Sequence, residues 1–294
     1  MIQIDHLTKK FPNQKGLFDV SIQVDKGQIF GYLGPNGAGK STTIRHLMGY
    51  MQPDIGKATI NGYDCWKEPD KIHSILGYVP GEISFVEGMT AVGFLDAMAG
   101  MRNLKSTTRR KELIETFDLD MRVPIRKMSK GMKQKLAIVN AFMHDPEVII
   151  LDEPSSGLDP LMQKTFVDLL HEEKSKGKTI LISSHIFSEL EDTADTIAII
   201  RKGQIITVQE LSLLKGEMTA NSYEVEFYRQ EDLQTIVHSG LVVQSHSGNK
   251  AVISIDREIS EILKHISQYP IKNLDIPRQR LEDVFMKYYY KEEA

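Results

Sequence analysis

The chain has 294 residues, 41% hydrophobic and 26% charged, which excludes a disordered, collagen-like or disulfide-stapled polypeptide and fits about two globular domains. With 36 basic against 40 acidic residues the formal charge is −4, so no global basic field holds a polyanion and no nucleic acid is expected as a partner. No apolar run approaches the ~20 residues that span a bilayer, the start Met1-Ile2-Gln3-Ile4 lacks a basic-then-apolar leader, and the single Cys65 makes no intrachain disulfide; these features predict a reducing, cytoplasmic setting in which work at a membrane is done through a partner's helices.

In chain order, the first strand expectation is 28–33, a short and nearly all apolar run of the kind buried on both faces of a largely parallel sheet. It leads into Gly34-Pro35-Asn36-Gly37-Ala38-Gly39-Lys40-Ser41, which fits G-x-x-x-x-G-K-[S/T], and then into a helical stretch over 42–51. The spacing has a chemical reason. Glycines let successive backbone N–H groups converge on phosphates, and the helix N-terminus adds positive partial charge. Lys40 supplies a point charge and Ser41 a hydroxyl ligand for Mg²⁺.

Further along, Met128-Ser129-Lys130-Gly131-Met132 precedes a helix read over 133–142. The run Val148-Ile149-Ile150-Leu151 ends in Asp152 and Glu153, and the carboxyl ends of strands in open α/β sheets face the ligand crevice. Asp152 suits a Mg²⁺ site and Glu153 an attacking water. Two more buried strands are read at 179–183 and 197–200, with helical crossovers between strands.

After about residue 208 the pattern changes. Tyr223, Val225 and Phe227 alternate with Glu224 and Glu226, the signature of a strand wet on one side. Strand 222–228, helix 231–238, strand 241–246, strand 251–255, helix 257–268 and strand 271–276 give β-α-β-β-α-β, a ferredoxin-like order, before a last helix from about Arg278. Ile259, Ile262, Leu263 and Ile266 share one face of the second helix.

The phosphate loop, Asp152-Glu153-Pro154 and the Met128–Met132 segment between them resemble the nucleotide-binding subunit of an ABC transporter over about residues 1–210. The middle segment resembles the family's Leu-Ser-Gly-Gly-Gln signature; Met128, Lys130 and Met132 depart from it, while Ser129 and Gly131 are kept. The resemblance implies a P-loop NTPase α/β fold of the ABC ATPase type over 1–210, with a helical subdomain at about 82–145, and a small α+β accessory domain over 216–294.

It also implies site roles. Gly34, Pro35, Asn36, Gly37, Ala38, Gly39, Lys40, Ser41 and Thr42 would hold ATP, with Phe11 stacking on adenine and Mg²⁺ on Ser41 and Asp152. Glu153 would polarise water and His185 would touch the γ-phosphate. Ser129 and Gly131 would complete the site of a second ATPase subunit, and Asp159, in the D-loop-like Ser156-Gly157-Leu158-Asp159, would belong to the nucleotide-binding residues. Where the family usually carries a Mg²⁺-touching glutamine, this chain has Gly81, in Gly77-Tyr78-Val79-Pro80-Gly81-Glu82; either Glu82 substitutes or the site runs without that ligand.

The implied partners are ATP, a separate integral membrane permease, and a second ATPase subunit in a homodimer or hetero-pair, on the inner face of the cell membrane. The segment 81–105, with Ile83, Phe85 and Val86 ahead of Phe94, Leu95 and Met98, is either the permease dock or the core face of the helical subdomain. The C-terminal domain, with Arg280-Leu281-Glu282-Asp283-Val284-Phe285 near its end, resembles the extension of ABC-2 type exporters. Two other readings stand beside this one: an ABC ATPase that remodels ribosomes or DNA, and a P-loop kinase or GTPase, against which the signature-like and D-loop-like segments argue.

Overall fold

The computed structural model describes residues 1–12, 15–86, 88–213, 222–254 and 258–275. The chain divides into two compact units, Met1–Leu211 and Ser212–Ala294.

The first unit runs β1 (Ile2–Lys10), β2 (Gly16–Val24), β3 (Ile29–Leu33), α1 (Lys40–Leu47), β4 (Ile55–Ile60), β5 (Tyr63–Asp64), α2 (Pro69–Ile75), β6 (Leu76–Val79), α3 (Ala91–Met101), α4 (Thr108–Thr116), α5 (Lys130–Phe142), β7 (Val148–Asp152), α6 (Pro160–Ser175), β8 (Thr179–Ser184), α7 (Phe187–Glu191), β9 (Thr196–Arg201) and β10 (Gln204–Glu210). Six strands form a sheet in the order β10-β9-β3-β8-β7-β6, parallel from β9 to β6, with β10 antiparallel at its edge. β3, β7 and β8 are buried at every position, which is why each reads as an unbroken apolar run.

A second, antiparallel sheet has the order β2-β1-β4-β5. One core joins Ile2, Ile4 and Leu7 of β1, Tyr32 of β3, Ile44 and Leu47 of α1, and Ile150 of β7. The helix that follows the phosphate loop is therefore held from both sheets, and full burial of Ile44 and Leu47 stabilises this seat by roughly 1.5–3 kcal/mol each.

The boundaries of α1 and α5 differ from the sequence expectation, for local reasons. α1 begins at Lys40, directly after Gly39, and ends at Leu47 rather than 51 because Gly49 turns the chain at φ 68°. α5 begins at Lys130 rather than 133 because the Ser129 hydroxyl accepts the N–H of Met132 at 3.2 Å, an N-cap.

The second unit runs β11 (Ser222–Phe227), α8 (Gln230–Val237), β12 (Val243–Ser247), β13 (Lys250–Ser254), α9 (Ile259–Ile266) and β14 (Ile271–Asp275). Its sheet order β12-β13-β11-β14, all antiparallel, is the ferredoxin-like arrangement. Leu233 and Ile236 of α8 and Ile262 and Ile266 of α9 pack on Val225, Phe227, Ala251 and Ile253 of the sheet. The apolar face of α9 is only half used, since Ile259 and Leu263 stay exposed. The helix expected from Arg278 and the segment 280–285 lie outside the described residues.

Candidate functional site

Parallel pairing sets the carboxyl ends of β3, β8 and β7 side by side, with Leu33 opposite Ser184 and Ser183 opposite Asp152. Everything that leaves those three ends therefore meets at one edge of the sheet.

From β3 the chain enters the phosphate loop. Gly39 closes it at φ 115°, and a Cβ there would stand 2.7 Å from Leu17 of β2, so only glycine lets the loop turn into α1. Lys40 is 5% exposed. Its ammonium donates to the carbonyls of Gly34 at 2.6 Å and Pro35 at 3.4 Å and pairs with Glu153 Oε1 at 3.2 Å.

From β7 come two carboxylates in different surroundings. Asp152 is buried, with Oδ1 accepting the Ser183 hydroxyl at 2.5 Å. Glu153 has φ 49°, a left-handed conformation that costs about 1 kcal/mol or more for a non-glycine residue. Its N–H donates to Ser183 O at 3.1 Å and to Ser183 Oγ at 3.2 Å. This turn carries its carboxylate out of the strand to a place between Lys40 and His185, whose Nδ1 lies 2.6 Å from Oε2. A carboxylate only accepts, so Nδ1 carries the proton.

Two cavities share Asn36, Ser41 and Glu153 in their walls. The larger, about 600 Å³, runs from Phe11 and Lys15 along Gly37, Gly39, Lys40 and Thr42, a size that suits a nucleotide. The smaller, about 370 Å³, is bounded by Arg45, Tyr78, Gly81, Glu82 and Asp152. Gly81 lies against the metal-side carboxylate: a Cβ on it would be 3.1 Å from Asp152 Oδ2. Burial first, then the neighbouring Asp152, pushes the Tyr78 phenol up to about 12.

Ser41 and Asp152 thus offer a hydroxyl and a carboxylate to one cavity, an oxygen donor set that fits Mg²⁺. Ser129, Gly131 and Asp159 line neither cavity. Gly131 presses on the loop after β7, where a Cβ would meet Gly157 O at 2.7 Å, and Asp159 caps α6 by accepting the Met162 N–H at 3.0 Å.

The family model described as ABC transporter matches residues 17–156. The chain is 33% identical to the ABC transporter ATP-binding protein NatA of Bacillus subtilis over 82% of this chain and 98% of that protein. It is 37% identical to the bacitracin transport ATP-binding protein BcrA of Bacillus licheniformis over 81% of this chain and 78% of that one. The chain is an ABC transporter ATP-binding protein. A solved ATP-binding subunit of an ABC transporter superposes with TM-score 0.68 at 33% identity, over 74% of this chain and 92% of that one. As an ABC ATPase, this chain binds ATP and hydrolyses it to ADP and phosphate.

Sequence reasoning missed four residues of this ABC site. Lys15 and Arg45 reach the cavities from β-hairpin and helix positions with no motif of their own. Tyr78 sat in plain view beside Gly81. Ser183, which holds both carboxylate residues, had a legible signal: a hydroxyl at the carboxyl end of an otherwise apolar strand.

Proposed function

We propose that this chain is the ATPase subunit of an exporter, energising a separate membrane permease by closing with a second ATPase subunit on Mg-ATP. The observation that carries the reading is the separation of the signature-like residues from the cavities. Ser129 and Gly131 stand at the N-terminus of α5 and line neither cavity, which supports a site completed by the same pair from a second subunit.

In this reading, residues 34–42 cradle the triphosphate through backbone N–H groups and the Lys40 ammonium, and Phe11 stacks on adenine. Ser41 and Asp152 hold Mg²⁺, with Glu82 as a third contributor in place of a side chain at Gly81. The ion would supply charge neutralisation between the phosphates. Glu153 orients and deprotonates the attacking water, and His185 steadies that carboxylate and contacts the γ-phosphate. Ser129 still has its hydroxyl proton to donate, because its cap to Met132 uses only a lone pair. With the helix N-terminus behind it, that hydroxyl serves the partner's ATP, as does the Asp159 loop.

The functional domains are taken as 1–210, with the helical subdomain at 82–145, and 216–294. Val86, Val92 and Met101 are exposed around α3 while Phe85 packs edge-on against Phe94 at 4.9 Å, which supports this surface as the permease dock. No helix among the described residues is long and apolar enough to cross a membrane; in this reading the membrane path belongs to another polypeptide and the chain sits peripherally on the cytoplasmic face. BcrA is a bacitracin transport ATP-binding protein and another relative, 35% identical over 71% of this chain, is the linearmycin resistance ATP-binding protein LnrL of Bacillus subtilis, which supports export of a drug- or peptide-like cargo. These relatives leave the ribosome- or DNA-remodelling reading without support.

The test is affinity purification of the tagged chain from detergent-solubilised native membranes, followed by mass spectrometry. A polytopic membrane protein in stoichiometric amount is the expected result. Recovery with ribosomes, DNA-associated proteins or nothing would overturn the proposal.

A further inference from the structure

We propose that Lys130 is a positioning residue that fastens the Ser156-Gly157 turn to the start of α5, so that the two segments this chain offers to a partner's nucleotide move as one body. The inference rests on the proposed closure of two subunits.

Lys130 occupies the position where the ABC signature usually has glycine, and glycine has no side chain with which to make the contacts seen here. Its ammonium donates to Ser156 Oγ at 2.8 Å. Its methylene stem lies across Gly157, whose φ is 89°: a Cβ on Gly157 would stand 3.1 Å from both Cγ and Cδ of Lys130. From the other side, Gly131 brings the α5 backbone against Gly157 O. Gly157 is thus gripped between the side chain of one signature residue and the backbone of the next.

The grip reaches the chemistry by a short path. Ser156 lines the smaller cavity together with Glu153, and its N–H donates to Glu153 O at 3.2 Å. Glu153 is the residue held in a left-handed conformation, so the turn after it has a conformation that its own sequence does not favour and that outside contacts must maintain. A second tie runs from the same helix, where the buried Gln134 donates to Pro154 O at 2.6 Å. Lys130 is the outer of these two fasteners and the exposed one, so it can be altered without opening the core. Through it, the position of α5 is read by the turn that carries Glu153, which links the signature end of one nucleotide site to the water-activating end of the other.

The test is a double-mutant cycle in the full-length chain: Lys130→Ala, Ser156→Ala and the pair, with kcat and KM for ATP and, separately, equilibrium binding of a fluorescent ATP analogue. Loss of a charge-assisted hydrogen bond predicts about a five- to tenfold fall in kcat for each single variant. KM and analogue affinity are expected to stay within about twofold, and the pair to be no worse than either single. Lys130→Met, which keeps the stem over Gly157 but has no donor, falls between wild type and Lys130→Ala, and Lys130→Arg restores kcat. Additive losses in the pair, or a rise in KM that accounts for the whole effect, would place Lys130 on the nucleotide itself and overturn the proposal, as would wild-type kcat in Lys130→Ala. Failure of two-subunit closure shows elsewhere, as a wild-type specific activity that does not change on dilution, and leaves the cycle readable.

Discussion

The Ser183 hydroxyl donates to Asp152 Oδ1 at 2.5 Å and accepts the N–H of Glu153 at 3.2 Å. One side chain on β8 therefore orients the buried carboxylate proposed for the metal and pins the backbone turn that swings the next carboxylate toward Lys40. The parallel register that sets Ser183 opposite Asp152 brings this short side chain, 31 residues away in sequence, within reach.

Ser183→Ala should act twice. It leaves a buried carboxylate oxygen short of a donor and removes one support of the Glu153 turn, for a stability loss of about 1–3 kcal/mol. It should also raise the Mg²⁺ concentration needed for half-maximal ATPase, because Asp152 is no longer held in one orientation. Urea unfolding and a Mg²⁺ titration check the two effects; an unchanged Mg²⁺ requirement would remove Ser183 from the site.

Glu153→Gln keeps the shape of the cavity and takes away the base. ATP binding should persist, and steady-state hydrolysis should fall by about 10²–10⁴-fold. The amide no longer carries the charge that pairs with Lys40, yet its oxygen still accepts and Lys40 retains the carbonyls of Gly34 and Pro35, so the loop itself stays in place. Turnover near wild type in this variant would be incompatible with Glu153 as the base.

Glu82 shares the smaller cavity with Ser41 and Asp152, next to a residue, Gly81, that has no side chain to offer. If Glu82 contributes an oxygen to the ion, Glu82→Ala raises the Mg²⁺ requirement while leaving nucleotide affinity without metal unchanged. The decisive reading is a Mg²⁺ dependence of ATPase in Glu82→Ala that overlays the wild type, which would mean the site operates without this ligand.

The legible parts of the fold were those in which one physical constraint acts alone. β3, β7 and β8 are covered on both faces and so read as plain apolar runs, and β11 of the second unit reads by alternation because one face is wet. β1 and β2 went unread although Ile2 and Ile4 alternate with Gln3 and Asp5. Their pairing shifts register between Ile4 and Leu7, where His6 and Asp19 both take positive φ, and such bulges break the two-residue period that reveals a strand. Phosphate-loop and carboxylate residues were named from motifs that lie within single connections. Lys15 comes from the β1–β2 hairpin, Arg45 from α1 and Tyr78 from β6; only tertiary pairing brings them together, a relationship with no local sequence signature.

His144 gives a pH dependence of stability. Burial, then the nearby Arg102, pushes its imidazole down from 6.5 to about 4, and its Nε2 lies 3.1 Å from Leu76 O. The folded state resists protonation that the unfolded chain accepts, so stability is intact above about pH 6.5 and is lost as pH falls from there toward about 4. Between about pH 7 and 5 this group accounts for about 2 kcal/mol. Urea unfolding at both pH values should show a loss smaller by about that amount in His144→Gln, and an equal loss in both proteins would assign acid sensitivity to other groups.

Glu173 is the buried charge on which the α4 segment is moored. It is fully buried on α6, with Oε1 bonded to Arg109 of α4 at 2.5 Å and to Lys176 at 2.9 Å, and Oε2 paired with Lys178 ahead of β8. Three cations converge on one carboxylate, so removing it takes away their shared counter-charge, most severely for the buried Lys178. Glu173→Ala should destabilise the chain by about 3–5 kcal/mol, whereas Lys176→Ala, at a half-exposed position, should cost less than about 1 kcal/mol. Because Arg109 is the only member of the group on α4, Glu173→Ala should also speed amide hydrogen exchange in α4 more than in β7 or β8. Uniform acceleration across those elements would mean that the cluster supports general stability and does not moor α4 in particular.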